Sequence, residues 1–455
     1  MITASAYKGK DVGVFGLART GLAAVEALKA SGAHVHAWDD NVDRQKAAVP
    51  HADDLYALDF KTLDALMLAP GVPLTHPEPH TLVKKAQGAG VPTISDFDVF
   101  EAARAELPAH KTVAVTGTNG KSTTTALIGH MVAACGRPAA IGGNIGTGIL
   151  SLDALPEDGV YVFEMSSFQI DLTRSFTADI AILLNITPDH LDRHGDMAGY
   201  VAAKRKLFDM QRPGAAAIIG VDDAYGAAIA AELGDRAVPV SVMKTAPSGI
   251  YVTEDGMLID DRDGTATAVG SIAGLTVLRG RHNWQNAAVA YGAGRLLGFA
   301  PEAILAAFES FPGLAHRQEV IATIDGVRYV NDSKATNVDA AERALGSFRS
   351  ILWIAGGRPK DKSFDALAAH MGNVKRAYLI GEAADAIASG INGHVDYIDC
   401  HDLAHALELA RADAADGDTV LLSPACPAFD QFRDFEHRGA TFRALVEGLM
   451  KGADA

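Results

Sequence analysis

The residues best suited to chemistry begin with Lys121, Ser122 and Thr123, which follow the turn Gly117-Thr118-Asn119-Gly120. An ammonium on a flexible stem can reach the outer phosphates of a nucleoside triphosphate, and a serine or threonine hydroxyl can give an oxygen to Mg²⁺. The β-branched run Val113-Ala114-Val115 ahead of the turn predicts a buried strand, and Lys121 to Ala126 predicts the opening of a helix. Strand, glycine turn and helix start together aim a row of backbone N–H groups, with a helix dipole behind them, at one point. The general P-loop pattern asks for a further glycine where Val115 stands, so in this variant Gly117 takes the turn. The strand–turn–helix context favours a triphosphate site over a tight turn with an incidental lysine.

Two later strands carry chemistry at their ends. Val160 to Phe163 runs into Glu164-Met165-Ser166-Ser167-Phe168-Gln169, and Ile180 to Leu184 runs into Asn185 through Asp192, with His190 inside. In an open parallel sheet ligands sit outside the carboxyl ends of the strands, which puts Lys121, Glu164 and His190 on one edge. There Glu164 suits Mg²⁺, which takes one or two hard oxygen ligands beside phosphates. Taken singly, Glu164 reads as well as a surface cap and His190 as a helix-start histidine; their joint placement favours the site. Lys204, Arg205 and Lys206 lie in a helical stretch from Tyr200 and on their own read as a solvated face. Asn283 and Asn286, three apart in an Ala-rich helix after Gly280-Arg281-His282, share a face that could bond a base or phosphate, although Asn283 also suits an N-cap.

These groups need scaffolding on both sides. Asp11 to Asp39 reads as a βαβ unit: strand Val12–Phe15, turn Gly16–Gly21, helix Leu22–Ala30 and strand His34–Trp38 ending in Asp39. Ala18 replaces the middle glycine of the dinucleotide fingerprint, which leaves open NAD, another nucleotide such as a UDP-sugar, or a purely structural turn. Leu66 to Ala69 adds a strand closed by Pro70-Gly71-Val72-Pro73, and a boundary falls near 96–101. After Phe311-Pro312-Gly313-Leu314 the strands Gly326–Val330, Ile351–Ala355, Ala377–Ile380 and Thr419–Leu422 alternate with helical stretches, predicting a further α/β sheet. At 455 residues the chain is long enough for about three domains. A net charge of −16 argues against nucleic acid or an anionic membrane as partner, and no apolar run approaches the ~20 residues of a span. Three cysteines without metal-ligand spacing, and an N-terminus that enters a strand at once, suggest a cytoplasmic protein.

Taken together the motifs resemble the ATP-dependent Mur ligases of peptidoglycan synthesis. Thr116 through Ser122, Asn185 through Asp192 and Gly280-Arg281-His282-Asn283 carry the superfamily resemblance. Glu164 through Gln169, Ser423-Pro424-Ala425-Cys426, Asp430-Gln431-Phe432 and Arg438-Gly439 point to the member that adds D-glutamate. The resemblance implies an α/β protein of three domains. A Rossmann-like UDP-binding domain spans 1–98, a central P-loop ATPase-type parallel sheet 99–313, and a Rossmann-like amino-acid-binding domain 314–455. It implies ATP, two Mg²⁺ and a carbamylated lysine at Lys204 as cofactors, and UDP-N-acetylmuramoyl-L-alanine and D-glutamate as substrates of a monomer. Gly117, Thr118, Asn119, Gly120, Lys121, Ser122 and Thr123 would hold the ATP phosphates, with Asn283, Asn286, Arg317 and Asp332 as further ATP contacts and His316 beside them. Ser122, Glu164, His190 and Lys204 would serve the metals. Arg19, Thr20 and Asp39 fall on the uridine side, and Asn144, Ser166 and Gln169 on the muramoyl side. Lys334, Thr336, Lys360 and Phe435 fall where D-glutamate is held. Ala428 stands where some members have a serine contacting the glutamate side chain, so that contact falls to backbone N–H groups or another residue. The implied reaction activates a carboxylate as an acyl phosphate. The nearest alternative is a folylpolyglutamate synthase-like ligase, against which the full first domain and the Ser166-to-Gln169 stretch argue.

Overall fold

A computed structural model describes residues 1–275, 277–360 and 363–453. The chain forms two compact units, Met1–Leu275 with Asn283–Phe311, and Thr276–His282 with Pro312–Ala455.

The first unit holds two sheets. Four parallel strands, in the order His34–Trp38, Asp11–Phe15, Ala65–Leu68, Thr93–Ile94, form the smaller one. The helix after its first strand runs Arg19–Ala30, so Arg19 and Thr20, expected in the glycine turn, stand in the first helical turn. Ser95 and Asp98 then form a capping box that opens the helix Asp96–Ala103. Phe97 and Phe100 of this helix pack edge-on against Phe163 of the central sheet and Phe176 of the loop that leads into its strand Ile180–Leu183. A single hydrophobic core therefore runs from Val12 and Val14 of the small sheet to Ala114 and Ile219 of the large one.

The central sheet has nine strands. Its P-loop strand, His110–Thr116, lies between Gly159–Glu164 and Ile180–Leu183, all parallel. Ala139–Gly143 forms one edge. On the other side come Ala216–Gly220, Ala237–Ser241 and Ile250–Val252 in parallel, then Met257–Asp260 and Thr267–Ser271 antiparallel. The inner strands are buried on both faces, which is why they read as continuous apolar runs without alternation. Val115 pairs with Glu164 and Thr116 with Leu183, so the chemistry-bearing ends of three strands finish level with one another.

The second unit contains one six-stranded sheet, ordered Glu319–Ile324, Val327–Asn331, Thr419–Leu422, Ile351–Gly356, Val374–Ile380, Tyr397–His401. Only the first pair is antiparallel. The four inner strands match the apolar runs of the sequence, whereas both edge strands are half-exposed. Among the described residues no helix is long and apolar enough to cross a membrane.

Candidate functional site

The P-loop turn is fixed from three directions. Gly120 has φ +83°, and a Cβ there would lie 2.4 Å from Asn286 Oδ1, so the position admits only glycine without strain. Asn119 N donates to Asn185 Oδ1 at 2.9 Å and Thr118 N to Asn185 O at 2.9 Å, which ties the turn to the end of the neighbouring strand. The Thr118 hydroxyl donates to Thr187 O at 3.1 Å, accepts from Thr187 N at 3.0 Å and meets the Tyr200 hydroxyl at 3.1 Å. Lys121 Nζ folds back over the turn, donating to Gly117 O at 2.9 Å and Thr118 O at 2.8 Å. Ser122 is buried and Thr123 half-buried in the first turn of the helix Lys121–Ala134.

Lys204 reaches the same carbonyl from the helix Met197–Asp209. It is 1% exposed, donates to Gly117 O at 2.8 Å and lies 4.6 Å from the centre of the Tyr200 ring, one helical turn earlier. Burial, with the nearby Lys121 ammonium adding to it, pushes the Lys204 amine well below the usual lysine range. Lys206, two residues on, does not play that part: its Nζ donates to Asp171 O at 2.6 Å, and Lys121 is the cation that acts on Lys204. So the basic cluster splits: Arg205 pairs with Glu232 on the surface, and Lys204 turns inward.

Glu164, also 1% exposed, accepts from Asn144 Nδ2 on Oε1 at 2.8 Å, while its buried Oε2 has no hydrogen-bond partner. A buried carboxylate oxygen with nothing to accept is costly, and a hard cation satisfies it. His190 has φ +52° and caps the short helix Leu191–His194, its ring 4.8 Å from that of Phe168 and its Nε2 3.4 Å from Asp189 Oδ2. His194 continues the ring array to Tyr200 and meets Ser167 Oγ at 2.9 Å. Among the described residues no three His, Cys, Asp or Glu side chains gather to hold a metal. This donor set fits Mg²⁺, which completes its octahedron with phosphate and water oxygens, better than a metal that needs an all-protein cage.

Several expected ligand contacts have partners within the fold. Ser166 and Gln169 form a capping box for the helix Ser167–Leu172, with Ser166 Oγ donating to Gln169 Oε1 at 2.9 Å. Asn286 accepts from Thr124 Oγ1 at 3.1 Å and donates to Asn283 Oδ1 at 3.0 Å, bracing the P-loop helix. Asn283 is not an N-cap, because its helix starts at Arg281. Asp39 is buried, and its two oxygens accept from Leu17 N at 2.7 Å and Asn41 N at 2.8 Å, fixing the glycine turn beside it. Arg19 is exposed and Thr20 half-buried at that turn.

In the second unit Asp332 is buried, accepting from Ser423 Oγ at 2.9 Å and Gln318 N at 3.1 Å, and burial pushes its carboxyl up to about 7. Arg317 stands close enough to draw that value down slightly. Lys334 Nζ lies 3.8 Å from the Phe435 ring centre, Thr336 N donates to Lys334 O at 2.8 Å, and Lys360 is exposed. His316 Nδ1 is 2.9 Å from Asn331 Nδ2. Arg438, part of a motif in the sequence, has a structural role that the motif alone does not show. Its buried guanidinium donates to Ser333 Oγ and Ser333 O, Gly356 O and Cys426 O, at 2.9–3.1 Å, joining the ends of three strands. Ala428 is buried, its carbonyl taken by Phe432 N at 2.9 Å. Tyr200 was missed, although its place four residues before Lys204 sets both on one helical face.

Residues 115–294 match the Mur ligase middle domain, and 316–426 match the Mur ligase glutamate ligase domain. The UDP-N-acetylmuramoylalanine–D-glutamate ligase of Phenylobacterium zucineum is 49% identical, with 100% of both chains covered. The ligase of the same name from Paramagnetospirillum magneticum is 46% identical, again over 100% of each chain. Among solved structures, UDP-N-acetylmuramate-alanine ligase from Thermotoga maritima superposes with a TM-score of 0.59, covering 97% of this chain and 100% of that one. At 18% identity that likeness speaks for the fold alone. With its middle and C-terminal domains matched and its whole length shared with such relatives, the chain belongs to the Mur ligase family.

Proposed function

We propose that this protein joins D-glutamate to the terminal carboxylate of UDP-N-acetylmuramoyl-L-alanine, consuming ATP and releasing ADP and phosphate, as a monomer in the cytoplasm. The observation that carries the reading is the pair of lysines on one P-loop carbonyl: Lys121 to greet phosphate, and Lys204 buried with its amine biased toward the neutral form. Full-length relatives bearing that activity in their names support the choice of substrates over a folylpolyglutamate synthase-like alternative. We divide the work among 1–98 for the uridine diphosphate, 99–313 for ATP and 314–455 for D-glutamate.

A carboxylate is a poor electrophile, so it must first be activated. The P-loop N–H groups and Lys121 orient the γ-phosphoryl for in-line attack by a carboxylate oxygen, giving an acyl phosphate and ADP. The D-glutamate amine then adds to the acyl carbon, the amine loses a proton, and phosphate leaves as the amide forms. Bound Mg²⁺ supplies neutralisation of the phosphate charge, with Ser122, Glu164 and His190 as the residues to hold it. Lys204 in neutral form takes up CO₂ and releases a proton, turning a nitrogen base into an anionic oxygen ligand; as an ammonium it would repel a cation. Asn283, Asn286, Arg317 and Asp332 complete the ATP contacts, and Arg19, Thr20, Asp39, Asn144, Ser166 and Gln169 those of the UDP substrate. Lys334, Thr336, Lys360 and Phe435 receive D-glutamate. The test is ADP release: it should require UDP-N-acetylmuramoyl-L-alanine and D-glutamate together, and release with a folate and L-glutamate in their place would transfer the chain to the alternative.

A further inference from the structure

Glu164 ends a strand whose neighbour on the sheet edge, Ala139–Gly143, finishes opposite it, with Gly143 paired to Glu164. The chain then turns back on itself: Gly143 N donates to Thr147 O at 3.4 Å, and Gly142 and Thr147 form an isolated bridge. Gly143 has φ +103°, and a Cβ there would lie 2.3 Å from Glu164 O, so the turn presses directly on the glutamate backbone. At Gly148 the turn rests on the first helix, where an added Cβ would lie 3.0 Å from Ala23 Cβ. Asn144 thus holds Glu164 at two points, N to Glu164 O at 2.9 Å and Nδ2 to Oε1 at 2.8 Å. Oε2 alone is left buried and unpartnered.

We propose that Asn144 is a positioning residue of the metal site: its amide occupies Oε1 of Glu164, locks the carboxylate rotamer and leaves only Oε2 to bind a cation. This is a task separate from the substrate contact that the family resemblance gives Asn144, and it rests on the reading of Glu164 as a metal ligand. Hydrogen bonds to the far atom of a ligand fix its orientation, and their loss typically weakens metal binding about 10–100-fold. Because Asn144 is exposed and its turn is held by backbone contacts, Asn144→Ala and the near-isosteric Asn144→Leu should fold.

The experiment is a Mn²⁺ titration of the full chain followed by electron paramagnetic resonance, with a non-hydrolysable ATP analogue present and neither UDP substrate nor D-glutamate added. Both Asn144 variants should bind Mn²⁺ about 10–100-fold more weakly than the parent, while remaining folded by circular dichroism, and Glu164→Gln should weaken it at least as much. Without UDP substrate a mere substrate contact has nothing to report, so unchanged Mn²⁺ affinity in the Asn144 variants, with Glu164→Gln weakened, overturns the proposal alone. Unchanged affinity in Glu164→Gln overturns the underlying ligand reading as well.

Discussion

Lys121 and Lys204 meet at Gly117 O, and their chemistry differs because their surroundings differ. Lys121 is half-buried at the helix start, where a cation serves phosphate; replacing it by alanine should lower turnover at least ~10³-fold with the fold intact, measured as ADP release. Activity within tenfold of the parent would remove the phosphate role. Lys204 is sealed among Tyr200 and the P-loop, so its value lies in losing its proton. Lys204→Ala should be nearly inactive and recover in part when a short carboxylic acid is supplied to refill the ligand position. Lys204→Arg should stay inactive, since a guanidinium does not form the carbamate; full activity in that variant would reduce Lys204 to a structural cation. Lys121 and Glu164 were legible in the sequence because a glycine turn and a strand end announce them. Tyr200 was not, because its partners, the Thr118 hydroxyl and the Lys204 ammonium, are brought together only by folding; Asn185 and Arg438 stand in recognisable motifs, but their bonds to backbone groups of other segments show only in the fold.

At the scale of elements, the P-loop strand, turn and helix depend on two glycines at positive φ, Gly117 at +150° and Gly120 at +83°. Gly120→Ala meets both the cost of φ +83°, about 1–2 kcal/mol, and a collision with Asn286 Oδ1. Gly136 has the same φ with nothing within 4 Å of a Cβ, so Gly136→Ala carries the conformational cost alone. Gly120→Ala should therefore lower the melting temperature more than Gly136→Ala and should alone lose affinity for an ATP analogue; equal effects would contradict the packing argument. Buried parallel strands were readable because both faces are apolar. The strands between Ala216 and Ser271 escaped because they are short, interrupted by Gly and Pro, and increasingly exposed toward the sheet edge. The sequence puts the start of the first helix at Leu22, three residues late, because Gly21 reads as part of the turn although it lies within the helix.

Over the whole molecule, the junction between the small sheet and the central one contains a carboxyl kept from water. Asp96 is buried, its Oδ2 unpartnered, and burial pushes it up to about 7, with the N–H of Phe97 opposing. An acid whose pKa is raised on folding stabilises the native state below its unfolded value near 4, and that contribution is lost as pH climbs toward 7. Asp96→Asn should accordingly raise the melting temperature most at pH 8, less at pH 5 and little below pH 4; the reverse order would show that Asp96 is ionised and paired in the native state. The sequence located a boundary here without revealing that Phe97 and Phe100 weld the two sheets into one core. The central claim concerns chemistry at the P-loop edge, and isotope transfer tests it most directly. With ATP, D-glutamate and UDP-N-acetylmuramoyl-L-alanine labelled with oxygen-18 in its terminal carboxylate, the label should appear in inorganic phosphate, because the γ-phosphoryl group departs with a carboxylate oxygen. Label in AMP would mean an adenylate and would contradict the account.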